Sequence, residues 1–382
     1  MAEIPAYYMR GGTSKGVFLL ADDLPADAAE RDALLLRVIG SPDPYARHTD
    51  GMGGATSSTS KVVLIRASKR PDCDVDYLFG AVAIGEPLID WSGNCGNLSA
   101  AVGPFAIWRG FVPAREGTTT VRIWQQNIGQ RIVAHVPCRN GHPLEDGDFR
   151  EDGVPFGGAE IVLDYLEPGD SPMRLCPTGG CIDTLDVPGV GTLRVTLVTA
   201  GNPTVFVHAA DLGLNGTELP ERINGDAALL VRLEAIRAHG AVAMGLAPDA
   251  ATATRERPGT PKIAWVAAPA SYRTSAGVEI RAADIDVLAR IVSMGRAHHA
   301  FTGTGAIALA VAATLPGSVV REALRPGPVA QGVQTRIGHV SGTLAVGAVT
   351  VQRDGVWVME RAVMSRSARR LMTGLVHVPE RC

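Results

Sequence analysis

Hydrophobic positions along the chain fall into many short runs, not a few long ones. Residues 5–20 read as a strand, a glycine-rich turn (Arg10-Gly11-Gly12-Thr13-Ser14-Lys15-Gly16) and a second, apolar strand. Over residues 27–39, Ala28, Leu34, Leu35, Val38 and Ile39 share one side of a helix. A polar stretch rich in Gly, Ser and Thr covers 41–60, and Lys61 follows at the mouth of an apolar strand. Residues 75–88 read as strand again. The turn WSGNCGN at 91–97 opens an apolar helix over 98–108, and 118–136 alternate as strands. Residues 139–188 are loop-rich, with Pro, Gly and Asp clusters. The remainder predicts strands over 191–208, a helix over 227–239, a strand over 262–268 and a helix over 283–294. Thr302-Gly303-Thr304-Gly305 then opens a further apolar helix, and strands close the chain.

This order contains an internal repeat. Each half has a glycine turn near its first strands, RGGTSKG at 10–16 and AGNPT at 200–204. Each later has a glycine turn that opens an apolar helix, at 95–98 and at 302–305. The repeat predicts an α+β fold of two pseudo-symmetric domains, each wrapping mixed strands around a central helix. Their expected extents are 1–188 and 189–382, with the last strand free to pack back on the first domain and a site in the cleft between them. A single parallel α/β sheet would need a regular alternation of strand and helix, which is missing.

Composition supports this picture and narrows the function. A chain of 382 residues exceeds one ordinary core. Its 46% apolar and 20% charged residues are those of a folded protein. Plentiful Gly (44) and Pro (25) with only 5% aromatics favour short strands and tight turns. A net charge of −3 provides no footprint for nucleic acid, while leaving local cations free to hold an anion. The first residues lack an apolar signal core, and the apolar stretch 305–316 falls short of the roughly 20 residues of a membrane span. With six scattered cysteines, the expectation is a cytoplasmic protein that engages no membrane.

A helix N-terminus presents unpaired N–H groups and partial positive charge, so it attracts carboxylates, and glycine there lets a ligand approach the backbone. Two such starts, at Gly96-Asn97 and Gly303-Thr304, suit the two carboxylates of one ligand. Either is equally an ordinary buried helix started by small residues. Cys95 lies in the first of these turns, where a thiol is a competent proton donor or acceptor, or simply a small buried hydrophobe. Lys61 follows five hydroxyl residues, Thr56 to Ser60. It is either a solvated strand-edge lysine or, if burial or nearby cations such as Arg10 and Lys15 act on it, a base. The turn at 10–16 lacks the spacing of a phosphate loop, and neither a G-x-S-x-G elbow nor a G-x-G-x-x-G fingerprint occurs. Cys176 with Cys181, and His298 with His299, lack the partners of a zinc site. The expectation is that no metal and no cofactor is used.

The strings RGGTSKG at 10–16, DGMGGATSSTSK at 50–61, WSGNCGNLSAAVGPFAI at 91–107 and SRSARRLM at 365–372 resemble the 2-methylaconitate cis–trans isomerase (PrpF) family. The likeness runs nearly the whole chain and includes LLLRVIGSPDPYA at 34–46 and VRIWQQNIG at 121–129. The resemblance implies a diaminopimelate epimerase-like fold. It also implies a small unsaturated polycarboxylate as substrate, whose double bond moves with a proton in propionate catabolism (the 2-methylcitrate cycle). The epimerases carry a thiol at the start of each central helix. Here Cys95 matches the first position, but Thr302 stands at the second, which argues against a two-thiol racemase. The resemblance then assigns proton transfer to Lys61 and Cys95. It places Thr13, Ser14, Ser58, Thr59, Gly96, Asn97, Asn202, Thr302, Gly303 and Thr304 around the substrate. Related isomerases of methylitaconate and 4-oxalomesaconate share the lysine and the Cys-Gly-Asn turn. A homodimer and a functional pairing with an aconitase-like 2-methylcitrate dehydratase are further implications. A non-catalytic accessory of such a dehydratase is the alternative from another class.

Overall fold

The computed structural model describes residues 2–167, 174–327 and 331–379. Contacts divide the chain into two units, Met1–Leu163 with Ser365–Cys382, and Asp164–Met364. In the first unit, strand Ala2–Gly11 pairs antiparallel with both Ser14–Leu20 and the C-terminal strand Ala368–Val378. Ser14–Leu20 then pairs parallel with Lys61–Ala67, which pairs antiparallel with Val75–Val82. Val75–Val82 pairs parallel with Gly117–Gln125, and that strand antiparallel with Gln130–Arg139.

The second unit repeats the series. Gly191–Ala200 and Asn202–His208 form the hairpin, and the latter runs parallel to Lys262–Ala267. Lys262–Ala267 pairs antiparallel with Val287–Ser293, which runs parallel to Gln334–His339, itself antiparallel to Gly342–Arg353. The internal repeat legible in the turns therefore extends to this series of strand pairings, and the expected α+β class with two like halves is the one found.

In each unit a central helix fills the concave side of these strands. Helix Gly96–Trp108 is buried from Gly96 to Ile107 and packs on the strands of the first unit. Helix Gly303–Thr314 is buried from Gly303 to Ala313 and packs on those of the second. Helices apolar all round are buried on every side, and small residues let the strands close in. A Cβ on Gly103 would stand 2.7 Å from Val136 Cγ2. Phe105 is held by Tyr7, edge-on at 5.1 Å between ring centroids, and by Phe18 at 5.6 Å. Outside the sheet, helix Ala28–Ile39 is capped by Asp27, whose side chain accepts from the Glu30 N–H, and its Leu35, Val38 and Ile39 are buried.

Three expectations need correction. The helix expected over 283–294 is strand Val287–Ser293, with all seven residues buried. A strand covered on both faces loses its alternation and reads as a continuous apolar run, which periodicity does not separate from a buried helix. The boundary expected at 188 falls inside the second unit, because Asp183–Val187 pairs with that unit's Gly191–Ala200. The supposed loop 139–188 also holds strand Ile161–Leu166. The last strand, Ala368–Val378, belongs to the first unit.

Phe105→Ala should cost about 3–5 kcal/mol through the cavity left between Tyr7 and Phe18. Urea denaturation should show a lower midpoint at unchanged slope. A loss below about 1 kcal/mol would mean that the two rings do not clamp this helix.

Candidate active site

The turn between the first two strands is built on the start of the first central helix. Gly11 pairs with Ser14, leaving Gly12 and Thr13 as a two-residue loop, and Gly12 has φ +50°. A Cβ on Gly11 would lie 2.6 Å from the Asn97 carbonyl oxygen. The Asn97 amide in turn donates to Thr13 Oγ1 at 3.0 Å and to Ser14 Oγ at 3.4 Å. Thr13, Ser14 and Asn97 are thus one cluster. The Asn97 side-chain oxygen is buried and has no hydrogen-bond partner among the described residues.

Cys95 is the N-cap of this helix, with φ −112° and no side-chain cap. Its carbonyl accepts from the Tyr77 hydroxyl at 3.3 Å and the Ser99 N–H at 3.0 Å. Its thiol is buried, and no hydrogen bond to it is found among the described residues. The N–H groups of the first turn keep the polarity that attracts an anion.

Lys61 is not a solvated strand end: it is 7% exposed. Its Nζ lies 4.8 Å from the centroid of the Phe79 ring, and among the described residues no carboxylate pairs with it. The adjacent strand crosses this lysine at Gly16, whose Cβ would lie 2.8 Å from the Lys61 carbonyl oxygen and 3.1 Å from Leu98 Cδ1. That single glycine brings Lys61 alongside the helix that Cys95 caps. Arg10 and Lys15, the cations expected to act on Lys61, are engaged elsewhere. Lys15 Nζ stands 5.1 Å from the Tyr8 ring centroid. Arg10 donates to the carbonyls of Gly12 and Ser367 and to the Ser367 hydroxyl. Burial lowers its pKa from the ordinary arginine value, and the nearby Glu151 charge opposes that shift.

The hydroxyl run before Lys61 is an internally bonded turn. Thr56 Oγ1 meets Ser58 Oγ at 3.0 Å and Thr59 Oγ1 at 2.7 Å, and the Ser58 carbonyl accepts from the Lys15 N–H at 3.0 Å. Buried His48 ties the loop together from below: its Nδ1 accepts from the Ala55 N–H and meets Ser60 Oγ at 3.2 Å.

In the second unit, Thr302 caps helix Gly303–Thr314 by accepting from the Gly305 N–H at 3.1 Å. Gly201, with φ +63°, lays the Gly201-Asn202 turn against Thr304, where a Cβ would lie 2.7 Å from the Thr304 carbonyl oxygen. Asn202, Gly303 and Thr304 are buried there. This copies the contact of Gly11 with Asn97.

Several buried polar residues escaped sequence reasoning: His48, Glu151, Lys262 and Arg366. Lys262 opens the strand that corresponds to the one Lys61 opens, and donates to Ser293 Oγ at 3.1 Å. Aligning the two halves strand by strand would have exposed it. Glu151 and Arg366 are separated by most of the chain and carry no local signal.

Among the described residues no three His, Cys, Asp or Glu side chains gather as a metal site. Cys176 and Cys181 place their sulfurs 2.8 Å apart. The hydrogen bond between them raises the Cys176 pKa and lowers that of Cys181, and burial adds to the rise at Cys176. Cys73 is pushed up to about 11, chiefly by burial and then by the Asp72 charge. The thiolate is the reactive form, so iodoacetamide on the native protein at mildly alkaline pH should alkylate Cys181 before Cys73. Peptide mass spectrometry reads the order, and early labelling of Cys73 would contradict it.

The chain was compared with known proteins. The family model described as "PrpF protein" matches residues 1–379. The 2-methyl-aconitate isomerase of Shewanella oneidensis is 53% identical over 99% of this chain and 97% of its own length. The crystal structure of a methylitaconate-delta-isomerase is 40% identical, covers 99% of this chain and 96% of its own, and superposes with a TM-score of 0.75. A hydroxyproline epimerase from Agrobacterium vitis, with 14% identity and a TM-score of 0.55, shares the fold alone. A match of this extent, on a chain whose two halves repeat one strand order around a buried helix, makes this protein a member of the PrpF protein family.

Proposed function

We propose that the protein is a 2-methylaconitate cis–trans isomerase in which Lys61 and Cys95 transfer the proton. The observation that carries the substrate is the 53% identity over nearly the full length to a relative of that name, against 40% to the methylitaconate enzyme. The geometry supports the roles. Lys61 is buried, free of any carboxylate among the described residues and set over an aromatic ring. Cys95 is a buried thiol at a helix start with no hydrogen bond engaging it among the described residues.

One group removes a proton from the carbon at one end of the allylic system. The C–H pair moves into the carbon skeleton, the double bond shifts, and a carboxylate shares the charge. The other group returns a proton to the far carbon, so no atom or electron is gained or lost overall. Rotation while the charge is delocalised changes the geometry. The N–H groups of Gly96 and Asn97 and the donors of Thr13 and Ser14 hold carboxylate oxygens and stabilise the developing charge, each well-placed donor contributing about 2.7–4 kcal/mol. Ser58 and Thr59 shape the wall beside Lys61. The corresponding helix start of the second unit, with Asn202, Thr302, Gly303 and Thr304, is a candidate carboxylate site of the same kind. In this reading the enzyme acts in propionate catabolism beside an aconitase-like dehydratase that supplies its substrate.

The purified chain, with no dehydratase present, should isomerise 2-methylaconitate, and proton NMR in D₂O should place deuterium on the allylic carbons. Methylitaconate and 4-oxalomesaconate, run alongside, should turn over more slowly, and the reverse order would transfer the assignment to the better substrate. Lys61→Met and Cys95→Ser should each lower turnover by about 10²–10⁴-fold. If Lys61 abstracts the proton, Lys61→Met also loses deuterium exchange while Cys95→Ser keeps it, and the opposite pattern exchanges the two roles. Near-native turnover in both variants would remove the proposed site.

A further inference from the structure

Beside the turn that carries Thr13 and Ser14 lies a buried charge cluster with unfilled hydrogen-bonding capacity. Arg366 is 3% exposed, and Glu151 is 7% exposed. Arg366 Nε faces Glu151 Oε1 at 3.3 Å, at an angle that leaves both atoms without a hydrogen bond. The other Glu151 oxygen accepts from the N–H and the hydroxyl of Ser367, each at 3.2 Å. Neither terminal amino group of Arg366 has a hydrogen-bond partner among the described residues. Yet these are four of its five donors, in a fork shaped for carboxylate.

Burying the Arg366 Nε without a hydrogen-bond partner is costly, and a carboxylate drawn to the unpartnered amino groups of the same guanidinium would offset that cost. The position favours the same conclusion. The Ser367 carbonyl accepts from the Gly12 N–H at 2.9 Å, and Gly11 pairs with Ala368. Ser367 therefore lies on the Gly12 turn, and Arg366 is the residue next to it in the chain. Arg10 locks the junction by donating to Ser367 and to Gly12 together.

We propose that Arg366, oriented by Glu151, is a carboxylate-binding residue that grips one carboxylate of the substrate beside the Gly12–Thr13 turn. Glu151 acts through Arg366 and is a positioning residue. The placement rests on the reading of Thr13, Ser14 and Asn97 as substrate contacts. The charge logic requires only a polycarboxylate.

Tricarballylate, a saturated tricarboxylate with no double bond to move, tests binding apart from catalysis. Titration calorimetry should show that wild type binds it, while Arg366→Gln loses about 10- to 100-fold in affinity, as expected for charge-assisted hydrogen bonds. Arg366→Lys, which keeps the charge but not the fork, should fall between. Arg366→Gln leaves Glu151 buried without its partner. If that variant does not fold, the double variant Glu151→Gln with Arg366→Gln, which buries no charge, takes its place. The melting midpoint is measured alongside. Lost affinity at a wild-type midpoint supports the proposal, because a purely structural role would lower the midpoint instead. Wild-type affinity in the folded variant overturns it, as does failure of the wild type to bind tricarballylate at all. Binding by the wild type with no turnover of 2-methylaconitate would end the proposed reaction and leave Arg366 standing.

Discussion

The turn at Gly11 and Gly12 lies directly on the first residues of helix Gly96–Trp108, and the rest of the first unit's site follows from that contact. A side chain at Gly11 would meet the Asn97 carbonyl at 2.6 Å and force the turn away. With the turn in place, the Asn97 amide reaches the hydroxyls of Thr13 and Ser14. The same closeness recurs at Gly16, where a side chain would meet both Lys61 and Leu98. The helix is buried from its first residue, Gly96, to Ile107, so its polarity is concentrated in the backbone groups of its two ends.

The second unit copies this device with one chemical difference. Gly201 lies on Thr304 as Gly11 lies on Asn97. The helix cap, however, is a threonine whose hydroxyl is committed to the Gly305 N–H, where the first unit has a thiol with no cap bond. A hydroxyl that already stabilises its own helix is a poor proton shuttle. The two halves share an architecture, with a thiol at the helix start of the first and a hydroxyl at that of the second.

A second constraint is the cost of buried charge. The return of residues 365–382 to the first unit brings Ser367 onto the Gly12 turn and buries Arg366 beside Glu151. Each polar group there constrains its neighbours. Arg10 bridges Ser367 and Gly12, and Ser367 occupies one Glu151 oxygen, while the other Glu151 oxygen and Arg366 Nε face each other without a hydrogen bond. Removing one member of such a network costs more than the bond it made, because the partner is left buried and unpaired.

The sequence by itself determined the two-part α+β plan, the glycine turns, the buried helices after Cys95 and Thr302, and the identity of Lys61 and Cys95 as candidates. All of these are local: glycine at a turn, an apolar run after it, and long strings shared with one family. It misassigned residues 287–293, because a strand buried on both faces and a buried helix present the same uninterrupted apolar run. It misplaced the division between the units, because strand pairing, not composition, decides which unit residues 164–188 and 365–382 join. Whether Lys61 was solvated or buried could not be read from its neighbours in sequence. Burial depends on Gly16 and Phe79, which reach it only through the pairing of adjacent strands. The Arg10, Glu151, Arg366 and Ser367 cluster was the least legible part. Arg10 and Ser367 lie 357 residues apart along the chain, and only the folded sheet converts that separation into a hydrogen bond of 3.0 Å.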